Sequence, residues 1–317
     1  MFPYFFKKLL QLAITLIGVA TLIFLLLRVL PGDIVEVKFR SEGAQVTEEI
    51  LAKERARMGL DRSLQEQYIG WMTGLAHLSL GNSMWTERAV VDEIGSRVGI
   101  TLEVAVLAMI IGTLIALPMG IGAALSHGKW FDQCIRVFTV AGLSVPPFWL
   151  GMLLLMGLLL YFGWLPPIQT IAFSDDPMGH ISQVIFPALV VGWRLSAMIA
   201  RMLRSSMLEV LNEDYIRTAR SKGATQWKII TRHALGNAIL PAITVMALEF
   251  AMLLGGLVVT EQVFNLNGIG RLLVQAVSQN DFTLIQGLVM LFALFFVFVN
   301  FGVDLLYAVV DPRVRSR

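Results

Sequence analysis

The sequence predicts an all-α membrane protein with six transmembrane helices, a large extracytoplasmic loop after the first span and a cytoplasmic loop between the fourth and fifth spans. Hydrophobic residues make up 56% of the 317 residues and charged residues only 15%, whereas soluble domains carry about a quarter charged residues. Six apolar stretches are each long enough to cross a hydrocarbon core of about 30 Å as a helix. Basic residues are concentrated in the segments between alternate spans, which indicates a fixed orientation.

The six predicted spans are apolar runs separated by polar segments. Backbone groups have no water partner in lipid, so each run should be a helix rather than an open strand. The predicted spans are Leu9–Val29, Ile100–Leu125, Ile135–Phe162, Val184–Leu203, Ala238–Val259 and Leu284–Val310. No shift in composition marks a second domain, so residues 1–317 are predicted to form a single transmembrane domain.

The first span follows Lys7 and Lys8, an arrangement that also opens a secretory signal peptide. Its run of about twenty apolar residues is too long for that class, and no small-x-small cleavage pattern follows it. We therefore expect an uncleaved first span. Farther along, Pro146-Pro147 is the strongest predicted helix break, because a proline ring clashes with the preceding turn and lacks an N–H.

The long loop of residues 31–99 contains three predicted short helices, over Val46–Met58, Gln65–Ala76 and Val91–Val98. The second is amphipathic, with Tyr68 and Trp71 on its apolar side. Two interpretations remain open for this loop. It is either a cap that shields the mouth of a helical bundle, or a docking surface for a protein that delivers a substrate.

The polar loop of residues 204–237 carries helical signals of its own. A short helix is predicted over Tyr215–Lys222, with Asn212 as a cap at its start. Gly223 then supplies the left-handed residue that ends a helix. Thr225 can cap a second helix that continues into the fifth span.

The distribution of charge predicts the orientation. Seven basic residues lie between Arg201 and Arg232, whereas the loop Gly163–Gln183 holds none. Because short cytoplasmic loops carry the excess of Lys and Arg, both termini are predicted to be cytoplasmic. The loop Pro31–Gly99 has eight basic and eleven acidic residues and is too long for the rule to count. No aromatic-interleaved basic patch indicates binding of nucleic acid.

Two ionisable residues fall in the middle of predicted spans. Arg194 lies in the fourth span and Glu249 in the fifth. A charge at the bilayer centre costs at least about 2.5 kcal/mol on insertion scales, so such residues face the interior of a bundle. They either pair two helices or line a translocation path, and the sequence leaves both roles open.

The cytoplasmic loop resembles the EAA loop of the membrane subunits of ABC importers. Arg217-Thr218-Ala219 corresponds to its Glu-Ala-Ala-like triplet, and Gly223 follows four residues after the last alanine. The segment His233-Ala234-Leu235-Gly236-Asn237 resembles the His-x-Leu-Pro-Asn tail of the dipeptide, oligopeptide and nickel branch. Arg217 replaces the acidic first residue, and Gly236 stands where proline is common.

Further short motifs extend this resemblance over nearly the whole chain. They are Leu30-Pro31-Gly32-Asp33, Gly59-Leu60-Asp61, Thr260-Glu261-x-Val263-Phe264, Gly268-Ile269-Gly270, Asp304-Leu305-Leu306-Tyr307-Ala308 and Asp311-Pro312-Arg313. Their order and spacing together are more specific than any one of them.

The resemblance implies a multi-pass permease subunit in the bacterial inner membrane. Such a subunit forms half of the path for di- and oligopeptides delivered by an extracytoplasmic solute-binding protein, with nickel chelates or glutathione as alternative substrates. The expected partners are a second homologous permease, two cytoplasmic ATPase subunits and membrane lipid. The residues implied to dock the ATPase are Asp214, Tyr215, Arg217, Thr218, Ala219, Lys222, Gly223 and His233.

Searches for catalytic motifs exclude most enzyme classes. The stretch nearest to a nucleotide-binding loop, Gly122–Trp130, has the wrong spacing and lacks the hydroxyl residue. The four histidines are scattered, and a single cysteine, Cys134, cannot form an internal disulfide. We therefore predict no catalytic, cofactor or metal site here, and expect ATP and Mg²⁺ in partner subunits. An ion-coupled secondary transporter and a membrane enzyme are the alternatives from other classes.

Overall fold

The computed structural model describes residues 2–29, 47–57 and 59–310, together with residues 35 and 39. Every regular element in these ranges is helical, so the predicted all-α class is confirmed. The motif Leu30-Pro31-Gly32-Asp33 and the ending Asp311-Pro312-Arg313 lie outside the described residues. The α-helices in chain order are α1 (Phe2–Val29), α2 (Glu48–Arg57), α3 (Leu64–Ala76), α4 (Val90–Leu125), α5 (Trp130–Ser144), α6 (Pro147–Phe162), α7 (Pro177–Leu211), α8 (Asp214–Ser221), α9 (Gln226–Lys228), α10 (Leu235–Gly256), α11 (Val258–Val263), α12 (Ile269–Ser278) and α13 (Phe282–Val310).

Five helical segments in the described residues are long and apolar enough to cross a membrane. They are Phe6–Arg28, Val90–Leu125, Pro177–Leu211, Gln226–Gly255 and Phe282–Leu305. These segments coincide with the first, second, fourth, fifth and sixth predicted spans. The predicted fifth span was too long at its end, because α10 stops at Gly256.

The predicted third span, Ile135–Phe162, is wrong as a single helix. It consists of α5 and α6, which are bent by 99° relative to each other. The predicted break at Pro146-Pro147 is confirmed, since Val145 and Pro146 are both extended and Pro147 takes the first position of α6. A residue before proline is driven out of the helical region, whereas proline fits a helix start. Counted as one span, the bent pair completes the six predicted crossings.

The loop between the first two spans contains two of the three helices that the sequence predicts. Helix α3 matches the predicted Gln65–Ala76 and begins with a capping box between Ser63 and Glu66. Helix α2 matches the described part of Val46–Met58. The separate helix predicted over Val91–Val98 is wrong, because these residues form the first turns of α4. A glycine such as Gly99 costs a helix only about 1 kcal/mol, so it does not interrupt this long apolar helix.

The described chain forms two compact units, Met1–Gly99 with Gly268–Arg317 and Ile100–Asn267. In the first unit, α1 and α13 pack together through Ala20, Ile23, Leu27 and Met290. An ion pair of 2.6 Å between Lys8 Nζ and Asp304 Oδ2 joins the same two helices.

The second unit is built around α7, whose largest buried side chains include Leu195, Ile199 and Leu203. Two glycines bring α4 and α7 close together. A Cβ atom at Gly112 would lie 2.9 Å from the Cβ of Leu195, and one at Gly192 would lie 3.0 Å from the carbonyl oxygen of Ala108. Small residues allow such backbone approach between membrane helices. This packing fixes α7, which leads directly into the polar loop.

Candidate coupling site

Helix α8 is the short helix predicted in the polar loop, displaced by one residue from Tyr215–Lys222. Its end is confirmed as a glycine stop, since Gly223 has a φ of +79°. The N–H of Gly223 donates to Arg220 O (2.9 Å), and the N–H of Ala224 donates to Ala219 O (3.1 Å). These two bonds form a Schellman motif, which satisfies carbonyls that a helix end leaves unpaired.

The predicted start of α8 is wrong. Asn212 does not cap α8 but ends α7, and its Nδ2 donates to Leu208 O at 2.9 Å. Helix α7 runs on to Leu211, well beyond the predicted span end at Leu203, because its polar last turns leave the apolar region without a break. Glu213 occupies the cap position of α8, without a side-chain capping bond.

One buried side chain anchors α8 to the rest of the second unit. Ile216 is fully buried and joins the same apolar cluster as Ile229, Ile230 and Ala234. Tyr215 adds a polar contact, since its hydroxyl accepts a hydrogen bond of 2.9 Å from Asn237 Nδ2. The orientation of α8 is therefore fixed from both its apolar side and the segment that follows it.

That following segment restarts the helix as predicted. Thr225 Oγ1 accepts from Lys228 N at 3.4 Å, which caps α9. Residues Ile229–Ala234 are wound as a π-helix before α10 begins. No sequence pattern predicted this π segment, a conformation that is often found at functional sites.

The outer side of α8 is polar and exposed. Arg217 Nη1 lies 3.3 Å from Asp214 Oδ1, and Thr218 Oγ1 donates to Asp214 O at 3.0 Å. Lys222 and Gly223 are exposed, whereas Ala219 and the more distant His233 are half-buried. Trp227, which sequence reasoning missed, is also largely exposed. Seven of the eight predicted docking residues thus lie within or next to α8, and His233 lies in the π segment.

Arg194 and Glu249, the two predicted intramembrane charges, are brought together by α7 and α10. Arg194 Nη1 donates to Glu249 Oε2 at 3.0 Å. The Glu249 side chain is only 13% exposed, whereas the Arg194 side chain is 42% exposed. The guanidinium thus contacts a nearly buried carboxylate, while the rest of the Arg194 side chain is less enclosed.

A second ion pair, between Asp132 and Arg204, was missed by sequence reasoning. Asp132 is buried near the start of α5, and Arg204 contacts both of its carboxylate oxygens, at 2.7 and 2.8 Å. The N–H of Gly128 donates to the same carboxylate at 3.1 Å. The bidentate geometry is the strong form of this contact. It ties the start of the bent pair to α7 about two turns before that helix ends at Leu211.

Metal binding has no support in the described residues, where no three His, Cys, Asp or Glu side chains gather into a possible site. The ring of His180, for example, is already engaged by other contacts. Its Nε2 lies 2.7 Å from Glu103 Oε1 and its Nδ1 lies 2.7 Å from Ile171 O. Both ring nitrogens are thus engaged by protein oxygens.

Comparison with known families accounts for this combination of spans and polar loop. Residues 116–316 match the family described as the inner membrane component of binding-protein-dependent transport systems. Residues 1–105 match the family of the N-terminal part of such membrane components. The chain belongs to this family. It is a multi-pass inner-membrane permease subunit of an ABC importer, which decides against the ion-coupled carrier and the membrane enzyme.

Two relatives are similar to this permease over nearly its whole length. It is 38% identical to a putative peptide transport system permease protein of Brucella abortus over 309 residues, which cover 98% of each chain. It is 39% identical to the glutathione transport system permease protein GsiC of Salmonella choleraesuis over 317 residues, which cover all of both chains.

A solved structure supports the fold of the permease. The crystal structure of an amino acid ABC transporter with histidines superposes with a TM-score of 0.52 at 18% identity. The match covers 68% of this chain and 93% of the other. At this identity the likeness concerns the fold alone.

Proposed function

We propose that α8 is a coupling helix, which docks into a cleft on a cytoplasmic ATPase subunit and transmits its movements to the membrane helices. The observation that carries this proposal is the asymmetry of α8. Its inner side is fixed by the buried Ile216 and by Tyr215, while Arg217 and Lys222 on its outer side are exposed. A helix held rigidly from one side can transmit a displacement applied to its other side.

Gly223 sets the direction of α8 relative to the segment that follows it. Its left-handed backbone costs a non-glycine residue about 1–2 kcal/mol, and a β-branched residue fits it worst. A Cβ atom at Gly223 would meet no atom within 4 Å. A substitution there therefore acts through backbone conformation rather than through a clash.

The test is Gly223→Val, with two matched controls. Gly255→Val adds the same side chain in open space in α10, without a positive φ. Gly163→Val imposes the same left-handed strain, at a φ of +64°, on a different loop. We expect only Gly223→Val to lower both ATPase co-purification and transport. Wild-type values of both for Gly223→Val would contradict the docking role.

For Arg194 and Glu249, we propose helix pairing rather than separate lining of the path. At 3.0 Å the two charges largely neutralise each other, which reduces the cost of keeping either of them in a span. The pair also joins α7 and α10, the two helices on either side of the coupling loop. A change at α8 can therefore reach both helices together.

The remaining assembly follows the family. We propose a second homologous permease, two ATPase subunits that hold ATP and Mg²⁺, and an extracytoplasmic binding protein. The positive-inside pattern supports cytoplasmic termini, because it places the basic loop of α8 on the ATPase side.

We propose di- or oligopeptides as the substrate, because relatives of equal similarity are described as peptide and glutathione permeases. Glutathione is itself a short peptide and is the first alternative, and nickel chelates are the second. Uptake of a labelled dipeptide by the reconstituted importer, with each alternative as a competitor, tests this choice. If glutathione competes and unlabelled peptides do not, the substrate would be assigned as glutathione. If only nickel chelates compete, it would be assigned as a nickel chelate.

A further inference from the structure

Helix α3 lies alongside a membrane-spanning helix, rather than beyond the end of that helix. The hydroxyl of Tyr68 is 2.8 Å from Thr21 Oγ1, and Trp71 Nε1 donates to Ala20 O at 3.3 Å. The ring of Tyr68 also contacts that of Phe24, at 5.4 Å between centroids. Along α3 the contacts therefore move toward the middle of α1.

The depth of this contact in the membrane can be estimated from residue positions along α1 and α13. Ala20 precedes Arg28, the end of the candidate span, by eight residues, which is about 12 Å at the rise of an α-helix. Met290 follows Phe282, where α13 begins, by the same number of residues and belongs to the same apolar cluster as Ala20 and Trp71. Both helices thus place Trp71 near the centre of a hydrocarbon core of about 30 Å.

The turn that ends α3 is unusual for a water-exposed loop. Leu78 has a φ of +58° and an exposed fraction of 85%. It occupies the left-handed position of a Schellman motif, where glycine is usual. The conformation is unfavourable for a leucine, and in water its exposed side chain offsets none of that cost. Burial of the same side chain in an apolar medium would offset it.

The turn also meets the backbone requirement for a lipid environment. The N–H of Leu78 donates to Leu75 O (3.0 Å), and that of Ser79 donates to Gly74 O (2.9 Å). The hydroxyl of Thr73 donates back to Ile69 O at 2.8 Å. These donors are satisfied within the segment, as donors at membrane depth must be.

An apolar cavity of about 760 Å³ lies beside α3 within the same unit. Its walls come from α1, α3, α4 and α13 and include Leu16, Met72, Leu75, Ile94 and Leu294. All of its lining residues are apolar, so contact of these walls with water is unfavourable. At the depth estimated from α1 and α13, the medium expected beside the cavity is the acyl chains of the bilayer.

We propose that residues 68–80 form a re-entrant segment, inserted into the leaflet at the Arg28 end of α1, and that the cavity holds an acyl chain of a bilayer lipid. This inference is independent of ATPase docking. It changes the sequence prediction for the long loop, in which all of residues 31–99 lie outside the membrane.

Depth-dependent quenching in the assembled importer tests the proposal. Single cysteines replace Leu78 at the turn, Leu75 in the cavity and, as a control, the exposed Ile50 of the charged helix α2, each with Cys134→Ser. Each carries a small fluorophore in nanodiscs of phosphatidylcholine. The quenchers are nitroxides placed deep or shallow on the lipid acyl chain, and aqueous iodide.

We expect at least a twofold preference for the deep nitroxide over iodide at Leu78→Cys and Leu75→Cys, and the reverse at Ile50→Cys. Strong iodide quenching at Leu78→Cys would overturn the insertion. Absence of nitroxide quenching at Leu75→Cys would overturn acyl-chain occupancy of the cavity. Quenching by neither agent at Leu78→Cys would mean that protein covers the turn, which also overturns the proposal.

Discussion

The pair Arg194–Glu249 makes a quantitative prediction, because its two side chains differ in exposure. Arg194→Ala leaves the carboxylate of Glu249 nearly buried, at 13% exposure. Loss of one partner of a buried pair costs about 3–5 kcal/mol, and the remaining exposure favours the lower end. Glu249→Ala leaves a guanidinium whose side chain is 42% exposed and therefore less enclosed by the chain, so its cost should be smaller than that of Arg194→Ala. The double change should cost about 1–3 kcal/mol less than the sum.

The assay is a double-mutant cycle on the free energy of unfolding of the purified complex in mixed micelles. The control cycle uses Arg57 and Glu87, which are 2.9 Å apart but 51% and 65% exposed. It should give a coupling energy below about 1 kcal/mol. Additive effects at Arg194 and Glu249, with transport altered and assembly intact, would refute the pairing and support separate roles in the path. Equal costs of the two single changes would mean that side-chain exposure does not set them.

Three further predictions concern topology, helix packing and pH. With Cys134→Ser, Ser63→Cys should react with a membrane-impermeant thiol reagent on intact cells and Ser221→Cys should not; the opposite pattern would reverse the orientation. Gly192→Val should lower the thermal midpoint, because its added atoms meet the Ala108 carbonyl, while Gly157→Val, in open space, should not; equal midpoints would argue against the close approach. Hydrogen bonds from the Ser63 side chain and N–H hold the pKa of Glu66 below its usual value. The resulting stabilisation of α3 is present above the usual carboxylate pKa and is lost as the pH falls through the lowered one. Amide exchange of the first turn of α3 should therefore accelerate at low pH in the wild type but change less in Ser63→Ala.

Sequence patterns predicted the features that depend on local composition. Hydropathy located the spans because backbone groups in lipid must be hydrogen-bonded internally, so a long apolar segment forms a helix. The break at Pro146-Pro147 and the stop at Gly223 follow from backbone restrictions of single residues. The start of α8 was predicted wrongly because Asn212 suits either end of a helix, and only the length of α7 decides between them.

Features that depend on long-range contacts were largely beyond the sequence. The contact of Asp132 with Arg204 joins residues 72 positions apart, and neither residue carries a distinctive local motif. Arg194 and Glu249 were found only because a charge is costly in an apolar run. The depth of α3 depends on its contacts with α1, whereas its sequence is that of an ordinary amphipathic helix.

Site-specific photocrosslinking is the most direct test of α8 as the coupling helix. A photoreactive amino acid replaces Arg217, whose side chain is 71% exposed, and Ser63, on the predicted opposite side of the membrane, serves as the control position. We expect a crosslink to an ATPase subunit from position 217 and none from position 63. Failure of position 217 to crosslink in an importer that still hydrolyses ATP and transports would contradict the assignment of α8 as the coupling helix.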